Sequence, residues 1–129
     1  KYTITLEMKE KLADFAAGYS TEEETAESIH DTYQKTGYVM DTHTAVAAHV
    51  CGQYRAKSGD QTKCVIASTA SPYKFVKSVM SAIDAENANA DEFDLLPKLQ
   101  EVSGVPMPQA IKDILDAIDR FVYFENRKK

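Results

Sequence analysis

Two short segments place carboxylate, imidazole and hydroxyl groups where a helix is about to begin. The first is Asp41-Thr42-His43-Thr44 and the second is Ser68-Thr69-Ala70-Ser71-Pro72. Backbone N–H groups converge at the start of a helix, so polar or anionic ligands bind there. In open α/β sheets, ligands also bind beyond the carboxyl ends of strands. We therefore expect the two segments to face one cleft.

Each segment also has a purely structural interpretation. Asp41 or Thr42 would cap the next helix, where a carboxylate is stabilised by the positive end of the helix dipole. Ser71 followed by Pro72 is a typical pair for the N-cap and first position of a helix. His43, in the first helical turn, is then a partly buried and neutral imidazole. The residues alone leave both interpretations open.

The elements that must position these segments are mostly helical. Thr21 with Glu24 forms a capping box, and Gly37 is a natural stop for that helix. The helix after Asp41 carries one stripe at helical spacing, which we expect to be buried: Ala47, Val50, Cys51 and Tyr54. Apolar spacing predicts further helices over Met8–Ala16, Ser71–Ile83, Phe93–Val102 and from Pro106 to Ile118 or beyond. Residues Glu86–Asp91 are predicted to form a loop.

Residues Lys63–Ser68 are predicted to form a strand. Cys64-Val65-Ile66 is apolar without alternation, which suits a strand covered on both faces of a parallel sheet. An isolated strand leaves backbone groups unpaired, so we expect it to join a sheet supplied by missing sequence. The predicted fold class is α/β, mostly helical with one or two strands of a larger sheet. A small helical domain with a stray hairpin is the alternative.

Length, charge and composition limit the number of domains, the kinds of partner and the expected compartment. The 129 residues suit a single domain or a fragment, and the strand-like start Tyr2–Thr5 without an initiator methionine suggests a piece of a longer protein, or processing. A net charge of −5, with one basic cluster at Arg127-Lys128-Lys129, argues against nucleic-acid binding. The absence of a long apolar run or a signal peptide argues against a membrane span and makes the cytoplasm the expected compartment.

Metal and thiol chemistry are not expected. Cys51 and Cys64 match no zinc spacing and are predicted to be buried, reduced thiols. His43 and His49 do not share a helix face, so they do not form a metal pair. His30 is predicted to be a hydrogen-bonded residue at a helix interface. The five glycines are scattered and form no phosphate loop.

One set of residues carries a resemblance to a known family. The set comprises Gly37-Tyr38, Asp41 with His43-Thr44-Ala45-Val46, and Ser68-Thr69-Ala70 with Pro72 and Lys74-Phe75. In order and separation these blocks are similar to the carboxyl-terminal part of threonine synthase, and the resemblance weakens after about Asp84. The family usually has proline, histidine and alanine at Thr42, Ser71 and Tyr73.

The resemblance implies a pyridoxal-phosphate enzyme of the tryptophan-synthase-like fold, fold type II, which converts O-phosphohomoserine and water into threonine and phosphate. A lysine in the amino-terminal portion would hold the cofactor as a Schiff base, and neither that motif nor the phosphate loop occurs here. By the same resemblance, Thr69, with Ser68 beside it, would hydrogen-bond the pyridine nitrogen, and Asp41 would lie near the cofactor ring. His43 and Lys74 would lie on the substrate side.

The sequence therefore predicts a carboxyl-terminal segment of a threonine synthase that is inactive without the amino-terminal part of the same protein. It contains no catalytic lysine of its own. Two alternatives stay open. One is a free-standing helical interaction or regulatory module, in which Tyr54, Tyr73 and Phe93 would anchor a partner. The other is a different pyridoxal-phosphate lyase, such as a dehydratase.

Overall fold

The computed structural model describes the backbone of residues 3–126 and the side chains of residues 3–120. Tyr2 and the basic cluster Arg127-Lys128-Lys129 lie outside these ranges. Within residues 3–126 the chain forms α1 (Leu6–Lys11), α2 (Glu22–Thr36), α3 (Thr42–Ser58), α4 (Val76–Ile83), α5 (Glu92–Ser103) and α6 (Gln109–Asn126). Two 3-10 turns, Pro72–Phe75 and Ala85–Asn89, lie on either side of α4.

The helix ends follow the local sequence signals. Thr21 Oγ1 accepts a hydrogen bond of 3.2 Å from the N–H of Glu24, and Glu24 Oε2 accepts one of 2.8 Å from the N–H of Thr21. The predicted capping box is therefore confirmed. Gly37 ends α2 with a φ of 72°, in the left-handed region where a side chain would be strained. Asp41 caps α3, as predicted.

The core lies between α2, α4 and α5. α2 packs against α3 and α4, and α4 packs against α5. The largest fully buried apolar side chains come from these helices: Ile29, Val76, Val79, Leu95 and Leu99. The ring nitrogen Nδ1 of His30 lies 3.1 Å from the carbonyl oxygen of Ala82 on α4, so the prediction of a hydrogen-bonded interface residue is confirmed.

The buried face of α3 differs from the prediction. Thr44 and Ala45 are buried, whereas Ala47 and Tyr54 are exposed and the other two members of the predicted stripe are only half-buried. The small side chain of Ala45 lets α2 approach closely enough for Ser28 Oγ to donate to the Ala45 carbonyl at 3.2 Å. The larger apolar residues therefore lie on the side of α3 away from α2.

The predicted strand at Lys63–Ser68 is not present, and residues 3–126 contain no strand. A strand requires a neighbouring strand that accepts and donates its backbone hydrogen bonds, and the described part of the chain offers none. Val65 is 90% exposed in consequence. Thr3–Thr5 is not a strand either, because Thr5 caps α1. The larger sheet stays a prediction.

Other predictions were wrong in detail. α1 ends at Lys11, well before Ala16. The predicted loop Glu86–Asp91 contains part of a 3-10 turn, in which the buried Asn87 donates to the Met80 carbonyl at 3.3 Å. Cys64 is exposed and Cys51 is half-buried, because nothing in the described chain covers the segment that carries Cys64.

Two further observations bear on function. Tyr73 is buried, and its hydroxyl donates to the carbonyl of Val105 at 2.6 Å, so it does not anchor a partner. No helix in residues 3–126 combines the length and the apolar content that crossing a bilayer requires.

Candidate functional site

Asp41 organises the start of α3. Its carboxylate is 1% exposed, and Oδ1 accepts hydrogen bonds from the N–H groups of His43 at 2.9 Å and Thr44 at 3.1 Å. These are two of the N–H groups that a helix start leaves without intrahelical partners. The second oxygen, Oδ2, accepts from the hydroxyl of Thr44. The carboxylate therefore fixes both the backbone and a side chain of the first turn.

Ser68 joins the second segment to this carboxylate. Its Oγ lies 3.4 Å from Asp41 Oδ2, as a donor, and 3.0 Å from Thr44 Oγ1. We call Asp41, Thr44 and Ser68 the hydroxyl–carboxylate network. It brings together residues that are 24 and 27 positions apart in sequence. The two segments therefore contact each other at this point, and the cleft that they were expected to face stays a prediction.

The network keeps Asp41 ionised. Burial alone raises the pKa of the Asp41 carboxyl, but hydrogen bonds from the hydroxyl and N–H of Thr44 and from the N–H of His43 oppose it and leave the pKa below its usual value. With both oxygens occupied by internal donors and the side chain buried, Asp41 offers no free oxygen to a ligand. Its contribution to a site is to hold Thr44 and Ser68 in place.

Thr69 follows directly after the network and is exposed. Two residues later Ser71 caps the 3-10 turn, with its Oγ accepting from the N–H of Tyr73 at 3.3 Å. The backbone on both sides of Thr69 is therefore held, by Ser68 and by Ser71, while its hydroxyl is open to solvent. This geometry suits a hydroxyl that serves an external ligand.

His43 and Lys74 meet on one aromatic ring. The rings of His43 and Phe75 lie 5.0 Å apart between centroids at an interplanar angle of 56°. The ammonium group of Lys74 lies 5.4 Å from the centroid of the same Phe75 ring. The two predicted substrate-side residues are therefore joined through Phe75, which the apolar spacing of its helix had marked only as a core residue.

An apolar groove of about 1140 Å³ lies between α3, residues 14–19 and residues 64–67. We call it the α3 groove. It is lined mainly by the outer face of α3, by the turn after α1 and by the predicted strand, including Ala17, Val50, Tyr54, Val65 and Ile66. It contains the residues that sequence spacing had marked as a buried stripe. These apolar side chains are left uncovered by the described part of the chain.

The other candidate residues lie elsewhere. His49 Nε2 lies 2.9 Å from Gln53 Nε2 and 3.6 Å from a carboxylate oxygen of Glu24, on the opposite side of α3 from the α3 groove. Within the described residues, no three potential ligands are grouped closely enough to hold a metal ion.

Comparisons with known proteins agree on one family. Residues 44–128 match the family described as "Threonine synthase, C-terminal". The chain is 33% identical over 106 residues to "Threonine synthase-like 1" of Pongo abelii, covering 81% of this chain and 14% of that protein.

It is 31% identical over 107 residues to threonine synthase of Corynebacterium glutamicum, covering 81% of this chain and 22% of that protein. It is 32% identical over 90 residues to threonine synthase of Saccharomyces cerevisiae, covering 66% of this chain and 18% of that protein. The chain thus spans at most 22% of the length of each of these relatives. Since the family match covers most of the chain, this chain belongs to the threonine synthase family and corresponds to its carboxyl-terminal part.

Proposed function

We propose that this chain is the carboxyl-terminal portion of a threonine synthase that converts O-phosphohomoserine and water into threonine and phosphate with pyridoxal phosphate. The observation that carries the proposal is the hydroxyl–carboxylate network. It joins the two segments on which the family resemblance rests and ends at Ser68, the residue before Thr69, which the resemblance assigns to the cofactor. The chain is expected to be inactive alone, because the cofactor lysine belongs to the amino-terminal portion.

The residues present fit one part of the cofactor. A ring nitrogen needs one hydrogen-bond donor, and the exposed hydroxyl of Thr69 is such a donor on a backbone held at both sides. Pyridoxal phosphate, when bound, supplies an electron sink for the substrate. A neutral hydroxyl would leave the ring nitrogen largely unprotonated, which a carboxylate would not. Ser68 and Asp41 would act as positioning residues behind Thr69.

We call His43, Lys74 and Phe75 the Phe75 cluster. The ammonium group in this cluster suits an anionic substrate. O-phosphohomoserine carries a phosphate group, and Lys74 presents an ammonium group over the Phe75 ring beside His43. A lysine attracts phosphate as a point charge. We therefore assign Lys74 and His43 to the substrate side of the proposed site. In the chain alone, the ammonium group of Lys74 can equally form an ion pair with a surface carboxylate.

The α3 groove supports the proposed partner, the amino-terminal portion of the same protein. The relatives are more than three times as long as this chain, so they have ample sequence to cover the groove. In that arrangement residues 63–68 would pair with a strand of the amino-terminal portion. Val65, now 90% exposed, would become buried.

The test uses the complete enzyme with Thr69→Val and Thr69→Ser. Removing a single hydrogen bond to the cofactor is worth roughly 0.5–1.5 kcal/mol, so we expect Thr69→Val to lower kcat by up to about tenfold and Thr69→Ser to retain most of it. Release of both phosphate and threonine is followed. Thr62→Val, on the same segment but away from the network, is the matched control.

Three results contradict the proposal. The first is an unchanged kcat in Thr69→Val. The second is turnover of O-phosphohomoserine by the 129-residue chain alone. The third is a lysine of this chain whose substitution removes the visible absorbance of protein-bound pyridoxal phosphate.

The exposed groove also favours a second candidate, a helical module that docks on another protein. A complete protein without a cofactor lysine and without phosphate release would support that candidate. A dehydratase would release ammonia and a keto acid in place of threonine and phosphate, so the product distinguishes the third alternative.

A further inference from the structure

The segment after α3 folds back along that helix and is held at two points. Gly59 ends α3 with a φ of 73° and reverses the chain. At one end Arg55 Nη2 donates to the carbonyl of Thr62 at 2.6 Å, and at the other Ser68 Oγ lies 3.0 Å from Thr44 Oγ1. The segment therefore runs antiparallel to α3 between these two contacts.

The two contacts fix which residues lie opposite each other. Between Thr44 and Arg55 the helix rises about 16 Å, and an extended chain from Thr62 to Ser68 spans about 20 Å, so the two stretches match in length. Cys51 lies one helical turn before Arg55, and Cys64 lies two residues after Thr62. Each is therefore about 6 Å along its own stretch from the same contact.

The side chains agree with this register. Both cysteines line the α3 groove, and the thiol of Cys64 is near enough to Cys51 to influence its ionisation. Interaction with the Cys64 thiol, together with burial, raises the pKa of the Cys51 thiol, and the charge of Arg55 opposes this. Cys64 is exposed and Cys51 half-buried. An oxidant therefore reaches Cys64 first.

We propose that Cys51 and Cys64 form a redox site at which a hydroperoxide produces an intrachain disulfide. The thiolate of Cys64 attacks the peroxide, the O–O bond breaks, and Cys64 becomes a sulfenic acid while the other oxygen leaves as water or an alcohol. The sulfur of Cys51 then attacks Cys64, the S–O bond breaks, and water leaves as the S–S bond forms. Two thiols lose two hydrogen atoms, and the peroxide is reduced.

The bond would fix the returning segment to α3. It would close a loop that contains Gly59 and the Arg55–Thr62 contact, and it would restrain the stretch that leads to Ser68 and Thr69. The site uses only residues of α3 and the segment that follows it, and the amino-terminal portion proposed to cover residues 63–68 would slow its oxidation in the complete protein.

The experiment treats the 129-residue chain and the complete protein with hydrogen peroxide, blocks the remaining thiols and digests with trypsin without reduction. Trypsin cuts after Arg55, Lys57 and Lys63, between the two cysteines. We expect peptides 36–55 and 64–74 to appear as one linked species, lighter than their sum by two hydrogen atoms. Dithiothreitol should restore both thiols. Cys51→Ser and Cys64→Ser are matched controls that lose the linked species entirely.

Several outcomes overturn the proposal. One is oxidation of Cys64 to sulfinic acid while Cys51 stays reduced. Another is a disulfide that joins two copies of the chain in place of an intrachain bond. The absence of any linked species in the 129-residue chain, in which Cys64 is exposed, overturns it as well. Slower hydrogen exchange of residues 62–68 after oxidation, reversed by dithiothreitol, supports the predicted restraint.

Discussion

The core and the α3 groove are both apolar, but only the core is covered. Leu95 and Leu99 in the core are 0% exposed, whereas Val65 and Tyr19, which line the α3 groove, are 90% and 79% exposed. Burial of apolar surface stabilises a fold by about 25 cal/mol per Å². The core residues gain this stabilisation within the chain, and the groove residues do not.

This difference shows which apolar faces are covered within the chain and which are not. The helices α2, α4 and α5 bury one another's apolar faces, and the residues of the core come from local apolar stripes. The outer face of α3 and residues 63–68 carry the same kinds of side chain without a cover. Our proposal that the amino-terminal portion covers this surface rests on this difference and on the short stretch of each relative that the chain matches.

The largest effect should separate a core residue from a groove residue. Leu99→Ala should lower the free energy of unfolding by about 3 kcal/mol, because it leaves a cavity in a fully buried site. Val65→Ala should change it by less than about 0.5 kcal/mol in the 129-residue chain, since the side chain is already in solvent. Urea denaturation measures both. Equal losses would contradict the division between core and groove.

The next effect concerns the network that borders the two regions. Asp41→Ala should cost about 2 kcal/mol, because it removes the helix cap and leaves the hydroxyl of Thr44 without its acceptor. Asp41→Asn keeps an acceptor for the N–H groups and should cost about half as much. A loss from Asp41→Ala no greater than that from Val65→Ala would show that the network does not hold α3.

The charge of Asp41 should appear in the pH dependence of stability. Its pKa is lowered in the folded chain, so the unfolded state binds the proton first as the pH falls. The stabilisation is therefore present above the ordinary aspartate pKa of about 3.9 and is lost as the pH falls through the folded pKa. Urea titrations at several acidic pH values should show a shallower decline in Asp41→Asn. Parallel curves would refute the assignment.

The smallest effect on stability comes from replacing tyrosine by phenylalanine, once in the core and once at the α3 groove. Tyr73→Phe removes a hydrogen bond of 2.6 Å from a buried hydroxyl to Val105 and should cost about 1 kcal/mol. Tyr54→Phe removes a contact of 3.4 Å to Asp60 at the exposed groove and should cost close to nothing, since such a long bond competes with water. Thermal unfolding of both variants checks this, and the opposite order would contradict it.

Local signals predicted the start and end of α2 and the start of α3. The capping box at Thr21, the stop at Gly37 and the cap at Asp41 depend on residues within one turn, so the sequence contains all that decides them. The expectation that the two segments face one cleft came from the predicted helix starts and the end of the predicted strand, and the contact between Ser68 and Asp41 brings the segments together.

Interactions between distant residues were not predictable in the same way. The side of α3 that α2 covers depends on how closely the two helices approach, which the spacing of apolar residues does not reveal. The strand at Lys63–Ser68 was expected from composition, but a strand forms only beside another strand. Phe75 carries the helical spacing of a core residue, and only the structure shows that its ring contacts His43.

The central claim is that the open face of this chain is completed by the amino-terminal portion of the same protein. Hydrogen exchange of the backbone amides of residues 63–68 tests it most directly, measured in the 129-residue chain and in the complete protein. The account predicts rapid exchange in the chain alone and strong protection in the complete protein. Equally rapid exchange in both would contradict it.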